Sequence, residues 1–457
     1  MGEYGGLSVV PLNNGYSVVV DPDTMFWILV EPSQIGQARA QLREIYTDSL
    51  RQRLKADIDW LTTCSAVDLV EIHPTSACNM NCSYCYVPQE SRNHPGSIMQ
   101  REHIEQVVAK VLDWVEKNGG MKRFIFHGGE PLLVRDHFFP IIDRYYRDVE
   151  FAIQTNGTLL TEDDARFIKE RNTHISLSLD ALSAETNDKL RRYRDGRGTF
   201  DDVRRAIDLF RDFEWQGVIV TITKHNVDQL DLIARAFYDW GVRSALFNPV
   251  SPSCPNAVDL MPSPQDLITG YKKLIDALIE LNGKISTKRL VVDNVESLAV
   301  AIFTSNMRVL YCHMSPCGAG RLALVVTPNG DIYPCSEFIR FQEFKCGNVF
   351  TDSLPDILSS KACEVLEARN TASIDECRSC AFRLICGANC PAAVYGLYGT
   401  LQAKSPYCTF MKAIISYMFE KISEHGIDVA YRLVSRRFED MLRESERLVC
   451  IGQVEAS

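Results

Sequence analysis

Three cysteines lie close together in the segment SACNMNCSYCY, where Cys78, Cys82 and Cys85 form a C-x3-C-x2-C pattern. Thiolates are soft ligands that select zinc, Cu(I) or iron–sulfur clusters, and three in one loop can converge on one small object. Three ligands are one fewer than a closed four-ligand site requires. A four-iron cluster held here therefore keeps one iron free for a small molecule. A zinc site completed by His73 or by a distant residue is the alternative.

The last third of the chain contains eight further cysteines in a regular arrangement. They are Cys312, Cys317, Cys335, Cys377, Cys380, Cys386, Cys390 and Cys408. Eight thiolates divide into two sets of four, enough for two closed metal sites. Zinc is again the alternative occupant, because the C-x2-C-x5-C-x3-C portion is also typical of zinc knuckles and ribbons. The remaining cysteines fit no ligand spacing, and we expect them to be small hydrophobic side chains: Cys64, Cys254, Cys346, Cys363 and Cys450.

The composition excludes several classes of protein. With 457 residues, 46 % hydrophobic and 24 % charged, the chain is long enough for two or three globular domains. No apolar run reaches the roughly 18 residues of a membrane-spanning helix, and the N-terminus has no export signal. We therefore expect a cytoplasmic protein with no membrane partner, in a compartment where spaced, reduced cysteines bind metal. The net charge of −10 argues against a nucleic-acid partner.

Between Val67 and about Gly283 short β-branched runs alternate with amphipathic helical patterns. The predicted strands are 67–75, 122–129, 150–157, 174–180, 217–224 and 244–250. The predicted helices are 101–119, 137–148, 161–171, 199–214, 227–241 and 264–281. Six such units predict an α/β fold with a parallel sheet, open or curled into a partial barrel, whose chemistry lies at the carboxyl ends of the strands. The three-cysteine loop directly follows the first strand.

With Tyr84 before its last cysteine, that loop resembles the C-x3-C-x-aromatic-C signature of the radical S-adenosylmethionine (radical SAM) enzymes. The resemblance implies a partial (β/α)6 TIM-like barrel, a [4Fe-4S] cluster and bound S-adenosylmethionine (SAM). It also implies hydrogen abstraction by a 5′-deoxyadenosyl radical, with flavodoxin or ferredoxin as an electron donor.

The segment FHGGEP at the end of the second strand resembles the family's GGE motif. This implies that the amino group of SAM is held by Gly128, Gly129, Glu130 and Pro131. His127 precedes the motif and is a candidate catalytic residue that contacts substrate inside the barrel; a hydrogen-bonded structural imidazole is the alternative.

Two further SAM contacts are implied by later motifs. SLSLD at the end of the fourth strand resembles the family's SLD motif, so Ser178 is a candidate contact and Asp180 a candidate organiser of the strand end. Arg191 resembles the arginine that pairs with the SAM carboxylate. One extra residue between the motifs leaves Arg192 as the alternative.

The eight later cysteines resemble the SPASM domain found on radical SAM enzymes that modify peptides and proteins. The resemblance implies two auxiliary [4Fe-4S] clusters that relay electrons, and three clusters in all. It assigns one cluster to Cys312, Cys317, Cys335 and Cys390, and the other to Cys377, Cys380, Cys386 and Cys408. We expect the barrel at 67–290, the SPASM domain at 291–420 and a helical segment at 421–457.

The resemblance favours a maturase that installs thioether crosslinks in a ribosomally made, Cys-rich precursor peptide. The alternative is formylglycine formation, as in anaerobic sulfatase-maturing enzymes, or another protein-modifying dehydrogenation. Those enzymes carry Asp directly after the cysteine that corresponds to Cys335, whereas this chain has Ser336 and then Glu337. Residues 1–66 form a separate module, either a cap or a hairpin and helix that bind a leader peptide by strand addition. A non-catalytic zinc or iron–sulfur scaffold is the hypothesis from a different class.

Overall fold

The computed structural model describes residues 7–35, 46–88, 98–283 and 288–446. Its N-terminal part is a three-stranded antiparallel sheet of β1 (Ser8–Pro11), β2 (Ser17–Val20) and β3 (Trp27–Val30). The hairpin expected in this region is present as β2 and β3. Helix α1 (Asp48–Thr63) follows, capped by the Thr47 side chain. The predicted start of that helix falls partly on residues 36–45, outside the described residues.

Trp27 docks this small sheet onto the rest of the molecule. Its indole Nε1 donates a hydrogen bond of 2.7 Å to the carbonyl of Ile302. Its ring lies edge-on to Phe303 and Phe419, with centroids 5.7 and 5.0 Å away. The side chain is 3 % exposed. Because a buried aromatic ring contributes a large apolar area, Trp27 joins the N-terminal sheet to the main core.

The centre of the fold is a series of βα units. Their strands are β4 (Leu69–Thr75), β5 (Arg123–Gly128), β6 (Glu150–Thr155), β7 (His174–Ser178), β8 (Gln216–Ile222) and β9 (Ser244–Pro249). Their helices are α2 (Arg101–Asn118), α3 (Arg135–Tyr145), α4 (Glu162–Glu170), α5 (Ala184–Leu190), α6 (Phe200–Leu209), α7 (Leu230–Asp239), α8 (Pro255–Val258) and α9 (Pro264–Asn282). All six strands pair in parallel, which confirms the predicted fold class.

Alternation along the strands separates an outer face from an inner face. In β5, Phe124 and Phe126 are fully buried, and Phe126 stacks on Phe138 of α3. Ile125 and His127 therefore point to the inner face, where side chains are half-buried. The predicted helix 199–214 ends early at Leu209, because Asp212 adopts a positive φ of 60° and reverses the chain.

The Cys-rich part continues the same sheet across residue 290. It contains β10 (Val291–Val292), α10 (Asp293–Phe303), β11 (Ala323–Val326), β12 (Asp331–Tyr333) and β13 (Gly347–Asn348). Strand β11 pairs in parallel with β4. The full order is β10-β9-β8-β7-β6-β5-β4-β11-β12-β13, so the hairpin of β11 and β12 adjoins the first barrel strand.

Helices return sooner in the Cys-rich part than the sequence pattern predicted. Five short helices follow β13: α11 (Leu354–Leu358), α12 (Lys361–Glu367), α13 (Asp375–Arg378), α14 (Arg383–Cys386) and α15 (Pro391–Tyr398). They are too short to produce a clear helical period. The described part of the chain ends in α16 (Cys408–His425), α17 (Asp428–Leu433) and α18 (Glu439–Glu446). No helix in the described ranges is both long and apolar enough to cross a lipid bilayer.

The role of Trp27 is testable by truncation. Trp27→Ala should lower the free energy of unfolding by about 3–5 kcal/mol, because it leaves a cavity between the N-terminal sheet and the core. Trp60→Ala is the matched control, since Trp60 is 61 % exposed and should cost about 0.5 kcal/mol or less. Urea unfolding of the full chain, followed by circular dichroism, measures both losses. Equal losses would show that Trp27 is no anchor.

Candidate functional site

The GGE segment packs directly against the three-cysteine loop. Gly129 N donates to the Thr75 carbonyl at 3.0 Å, and Glu130 N donates to the Ala77 carbonyl at 2.8 Å. A Cβ at Gly129 would lie 2.1 Å from the Ala77 oxygen. Only glycine permits this approach, so the end of β5 and the loop after β4 form one wall.

The three loop thiols lie within electrostatic reach of one another. The pKa of Cys78 is raised to about 12. Burial is the largest cause, and the charges of Cys82, Glu130 and Cys85 add to it. The Cys78 sulfur accepts a hydrogen bond of 3.4 Å from Met80 N. None of the described cysteines forms a disulfide. Buried thiols that oppose one another's ionisation fit a cationic metal cluster, which supplies the missing positive charge.

Glu130 ties this wall to the next strand. Its carboxylate accepts hydrogen bonds from Thr155 Oγ1 at 2.6 Å, Asn156 N at 2.8 Å and Leu132 N at 3.1 Å. Burial raises the pKa of Glu130, although each of these hydrogen bonds lowers it. Since an ionised carboxylate has about four acceptor positions, one position is left for a ligand ammonium. The side chain is both a structural brace and a candidate SAM contact.

The Arg191 side chain reaches the three-cysteine loop, whereas Arg192 contacts that loop through its backbone carbonyl, which accepts a hydrogen bond of 2.8 Å from Asn81 N. The Arg191 guanidinium donates to Tyr84 Oη at 2.6 Å, and Tyr84 in turn donates to Asp180. Burial opposes the charge, but Tyr84, Cys82 and Asp180 outweigh it and raise the pKa of Arg191. The buried Nε of Arg191 has no hydrogen-bond partner among the described residues, which fits a ligand carboxylate. Arg192 is exposed.

Two other predicted contacts lie at the same edge. Pro131 is buried and begins the 3-10 turn Pro131–Val134 directly after Glu130. Ser178 is the last residue of β7 and is half-buried on the inner face. Both positions lie at the carboxyl ends of parallel strands, where the fold places its chemistry.

His127 belongs to a buried polar cluster on the inner face, which we call the lumen cluster: Glu71, His73, Tyr86, His127 and Ser336. His73 Nε2 lies 3.1 Å from Ser336 Oγ and 3.8 Å from the Glu71 carboxylate. Ser336 Oγ donates a hydrogen bond to the same carboxylate. The His127 ring lies 5.6 Å from that of His73 and 6.0 Å from that of Tyr86.

The lumen cluster holds one anion and one neutral imidazole. Burial would raise the pKa of Glu71, but the His73 hydrogen bond, the charge of His73 and the Ser336 hydrogen bond lower it. Burial and the charge of His73 lower the pKa of His127 to about 4, so the ring is neutral near pH 7. Among the described residues no group bonds to its Nδ1. An unpartnered buried nitrogen facing an inner cavity suits a substrate contact.

The auxiliary thiols raise one another's pKa within two sets, while their assignment to two clusters stays a prediction. Burial raises the pKa of Cys312 most, and the charges of Cys317, Cys390, Glu337 and Glu71 raise it further. Burial also raises the pKa of Cys335, with contributions from the charges of Cys312 and Cys390. Burial, Cys380, Cys408 and Cys377 raise the pKa of Cys386 to about 12. The grouping is electrostatic: within the described part of the chain, no three His, Cys, Asp or Glu side chains are arranged about a single metal-ion position.

Sequence reasoning missed Glu71 and Ser336 as members of the site. The only signal was a pair of ionisable residues, Glu71 and His73, at alternate positions of an otherwise apolar strand. Their partner Ser336 is 263 to 265 residues away in the chain. A cleft beside Phe26, Trp27 and Phe303 contains none of the predicted site residues.

Comparisons with known families and proteins agree with this geometry. A model of the Radical SAM superfamily matches residues 72–237, and one of the SPASM iron-sulfur cluster-binding domain matches residues 317–381. An uncharacterized protein of Archaeoglobus fulgidus is 35 % identical, over 88 % of this chain and 91 % of that protein. A cysteine-type anaerobic sulfatase-maturating enzyme of Clostridium novyi is 24 % identical, over 79 % and 98 %. The mycofactocin maturase MftC of Mycobacterium tuberculosis is 28 % identical, over 73 % and 81 %.

Solved structures share the fold. Native anSMEcpe with bound AdoMet superposes with a TM-score of 0.67 at 23 % identity, covering 79 % of this chain and 99 % of that one. Streptococcus suis SuiB bound to the precursor peptide SuiA gives a TM-score of 0.59 at 15 % identity, covering 88 % and 98 %.

The two neighbouring arginines give a sharp test of SAM binding. Arg191→Gln should weaken SAM binding about 10- to 100-fold, because a hydrogen bond to a charged group contributes about 1.5–3 kcal/mol. Arg192→Gln should change the affinity little, since that side chain is exposed. Isothermal titration of SAM into anaerobically reconstituted protein measures both. A loss confined to Arg192→Gln would transfer the role to that residue.

Proposed function

We propose that this chain, which belongs to the radical SAM enzymes that carry a C-terminal SPASM domain, installs a thioether crosslink in a ribosomally made, Cys-rich precursor peptide. The bound cofactors supply a 5′-deoxyadenosyl radical, which removes hydrogen from a C–H bond that no side chain can break by acid–base chemistry. The chain's own residues bind the peptide, exclude water and accept the proton that the crosslink releases.

The observation that carries the proposal is the position of the lumen cluster between two sets of cysteines. At one end, Tyr86 directly follows Cys85 of the three-cysteine loop. At the other end, Ser336 directly follows Cys335 of an auxiliary set and bonds to Glu71. A peptide carbon held there lies between the place where hydrogen is removed and a place that can accept an electron. This arrangement suits a net oxidation.

The balance of the crosslink assigns a role to Glu71. Forming a C–S bond removes one hydrogen atom from the carbon, one proton from the Cys thiol and one electron from the joined product. The 5′-deoxyadenosyl radical would take the hydrogen atom, and clusters held by the auxiliary cysteines would take the electron. Glu71 is ionised at neutral pH, since its pKa is lowered. It is the carboxylate of the lumen cluster and is the group that we assign to accept the proton.

One observation keeps formylglycine formation or another dehydrogenation as the second candidate. The sulfatase-maturing family carries a carboxylate directly after the cysteine that corresponds to Cys335. Here Ser336 occupies that position, but its hydroxyl donates to the Glu71 carboxylate. An acid–base group from β4 is therefore present beside the same position. Glu337 instead bonds to Ser253.

The proposal includes the partners and cofactors that follow from the motifs. It comprises three [4Fe-4S] clusters, SAM, an electron donor such as flavodoxin or ferredoxin, and a peptide or protein substrate. The three-stranded sheet of residues 7–35 is proposed as the leader-binding module, with β1 and β3 as its edge strands. The domain boundaries at 67, 290 and 420 remain part of the proposal.

Mass separates the candidate reactions. The substrate is a synthetic peptide that copies a short Cys-rich reading frame encoded beside this chain. With reductant and SAM, one thioether should make the peptide lighter by two hydrogen atoms and remove one thiol from alkylation. Mass spectrometry before and after alkylation measures both.

The other outcomes contradict the thioether in different ways. Conversion of Cys to formylglycine loses sulfur, which would favour the second candidate. Loss of two hydrogens with every thiol still alkylated would indicate a carbon–carbon bond or a new double bond. Heat-inactivated protein is the control.

The role of Glu71 is tested by removing only its charge. Glu71→Gln should slow peptide modification about 10²- to 10⁴-fold, the usual contribution of a general base. SAM cleavage without peptide should continue, because the three-cysteine loop and its neighbours are unchanged. Chromatography of 5′-deoxyadenosine and mass spectrometry of the peptide separate the two. Glu116→Gln, at an exposed salt bridge with Lys122, is the control; unchanged peptide modification in Glu71→Gln would contradict the assignment.

A further inference from the structure

Arg369 is a buried cation with no carboxylate partner in the described part of the chain. Arg369 lies two residues after the end of α12, and its side chain is 2 % exposed. The guanidinium donates to three backbone carbonyls: Nε to Leu401 at 2.7 Å, Nη1 to Asn389 at 3.3 Å and Nη2 to Ala388 at 3.3 Å. Carbonyl oxygens satisfy its hydrogen bonds but do not neutralise its charge. A buried charge needs a counter-charge, so an anion is expected nearby.

The carbonyls that Arg369 holds belong to a turn with an unusual backbone. Gly387, Ala388 and Asn389 all have left-handed φ angles, of 69°, 63° and 57°. Residues with a Cβ rarely adopt this conformation, and two of these three have one. Such a turn persists only where its surroundings impose it. Two of the three Arg369 hydrogen bonds end on this turn.

The turn connects the two auxiliary cysteine sets. Cys386, directly before it, interacts electrostatically with Cys377, Cys380 and Cys408. Cys390, directly after it, interacts electrostatically with Cys317 and Cys312. The turn also packs tightly against His313, the residue that follows Cys312. A Cβ at Gly387 would lie only 2.3 Å from the His313 carbonyl oxygen.

Thiols of both sets interact electrostatically with the guanidinium. Burial lowers the pKa of Arg369, and the thiols of both sets oppose that effect: Cys317 and Cys390 from one, Cys377 and Cys386 from the other. No carboxylate in the described residues forms an ion pair with it. The anions available to Arg369 are therefore the cysteine ligands themselves.

We propose that Arg369 is a positioning residue that clamps the 387–389 turn and serves as the shared counter-cation of both auxiliary clusters. It fixes one cluster relative to the other and makes both easier to reduce, because a nearby positive charge stabilises the more negative, reduced form. This inference rests on the two auxiliary clusters of the proposed function. It assigns a residue that belongs to no cysteine motif.

The experiment compares three variants of the full chain after anaerobic reconstitution. Arg369→Gln removes the charge and weakens the clamp, whereas Arg369→Lys keeps the charge. Arg308→Gln is the matched control. Arg308 is 8 % exposed and also donates to carbonyls, those of Met307 and Leu384. Its pKa is lowered to about 9 by burial alone, with no contribution from cysteine. Iron content and an EPR-monitored redox titration are measured for each.

The expected result is specific to position and charge. Arg369→Gln should reduce the equilibrium constant for reducing the auxiliary clusters at least tenfold, about 59 mV for a one-electron couple. The cluster at Cys78, Cys82 and Cys85 should keep its potential. Arg369→Lys should shift the auxiliary potentials less, and Arg308→Gln should leave them unchanged. Loss of auxiliary iron in Arg369→Gln alone would equally support the clamp.

Two results would overturn the inference. One is full iron content with unchanged auxiliary potentials in Arg369→Gln. The other is an equal shift or equal iron loss in Arg308→Gln, which would reduce the effect to that of any buried arginine. The unsubstituted protein reports separately on the proposed function, because iron for a single cluster there would contradict the auxiliary clusters before any variant is compared.

Discussion

The parallel pairing of β11 with β4 is the contact on which the arrangement of the site depends. It aligns Ala323 with Leu69 and Val326 with Ile72. The hairpin that follows β11 then returns Cys335 and Ser336 to the inner face beside Glu71. Without this pairing the strand contact between the Cys-rich segment and the barrel, in the described residues, would be limited to the two-residue β10 beside β9. With it, the barrel and the auxiliary cysteines share one continuous sheet and one polar cluster.

Buried charged side chains fix the carboxyl edge of the barrel, where the three-cysteine loop lies. Glu130, Asp180 and Arg191 are each almost completely buried, and each makes specific hydrogen bonds at the carboxyl edge of the sheet. Buried ionised groups stabilise one arrangement and penalise the alternatives, because any arrangement that leaves them unpaired is costly. The edge of the barrel is therefore held in a defined geometry before a ligand binds. Glu130 keeps a free acceptor position, and the Nε of Arg191 keeps a free donor position among the described residues.

Local pattern predicted most of the barrel, and long-range contacts account for most of what it missed. The six parallel strands were predicted to within two residues at either end, since each is a short β-branched run bounded by turn residues. Strands β10 and β13 have two residues each, too few for any period. The spacing of cysteines identified both metal-binding regions, because ligand spacing is itself local. Glu71 was missed because its role depends on Ser336, which lies 265 residues away. Arg369 was missed for a similar reason, since a buried arginine looks like any surface arginine in the sequence.

The interleaved order of the cysteines limits how the Cys-rich part can move. Cys386 and Cys390 are four residues apart but belong to different sets. A displacement of one set therefore pulls directly on the other through a turn that already has three left-handed residues. The first set is in turn linked to the barrel through Cys335, Ser336 and Glu71. Each of these links is a single hydrogen bond or a few residues of chain, so the path from the inner face to the second set is short. For the proposed auxiliary clusters, fixed separations would reduce the protein reorganisation that each electron transfer requires.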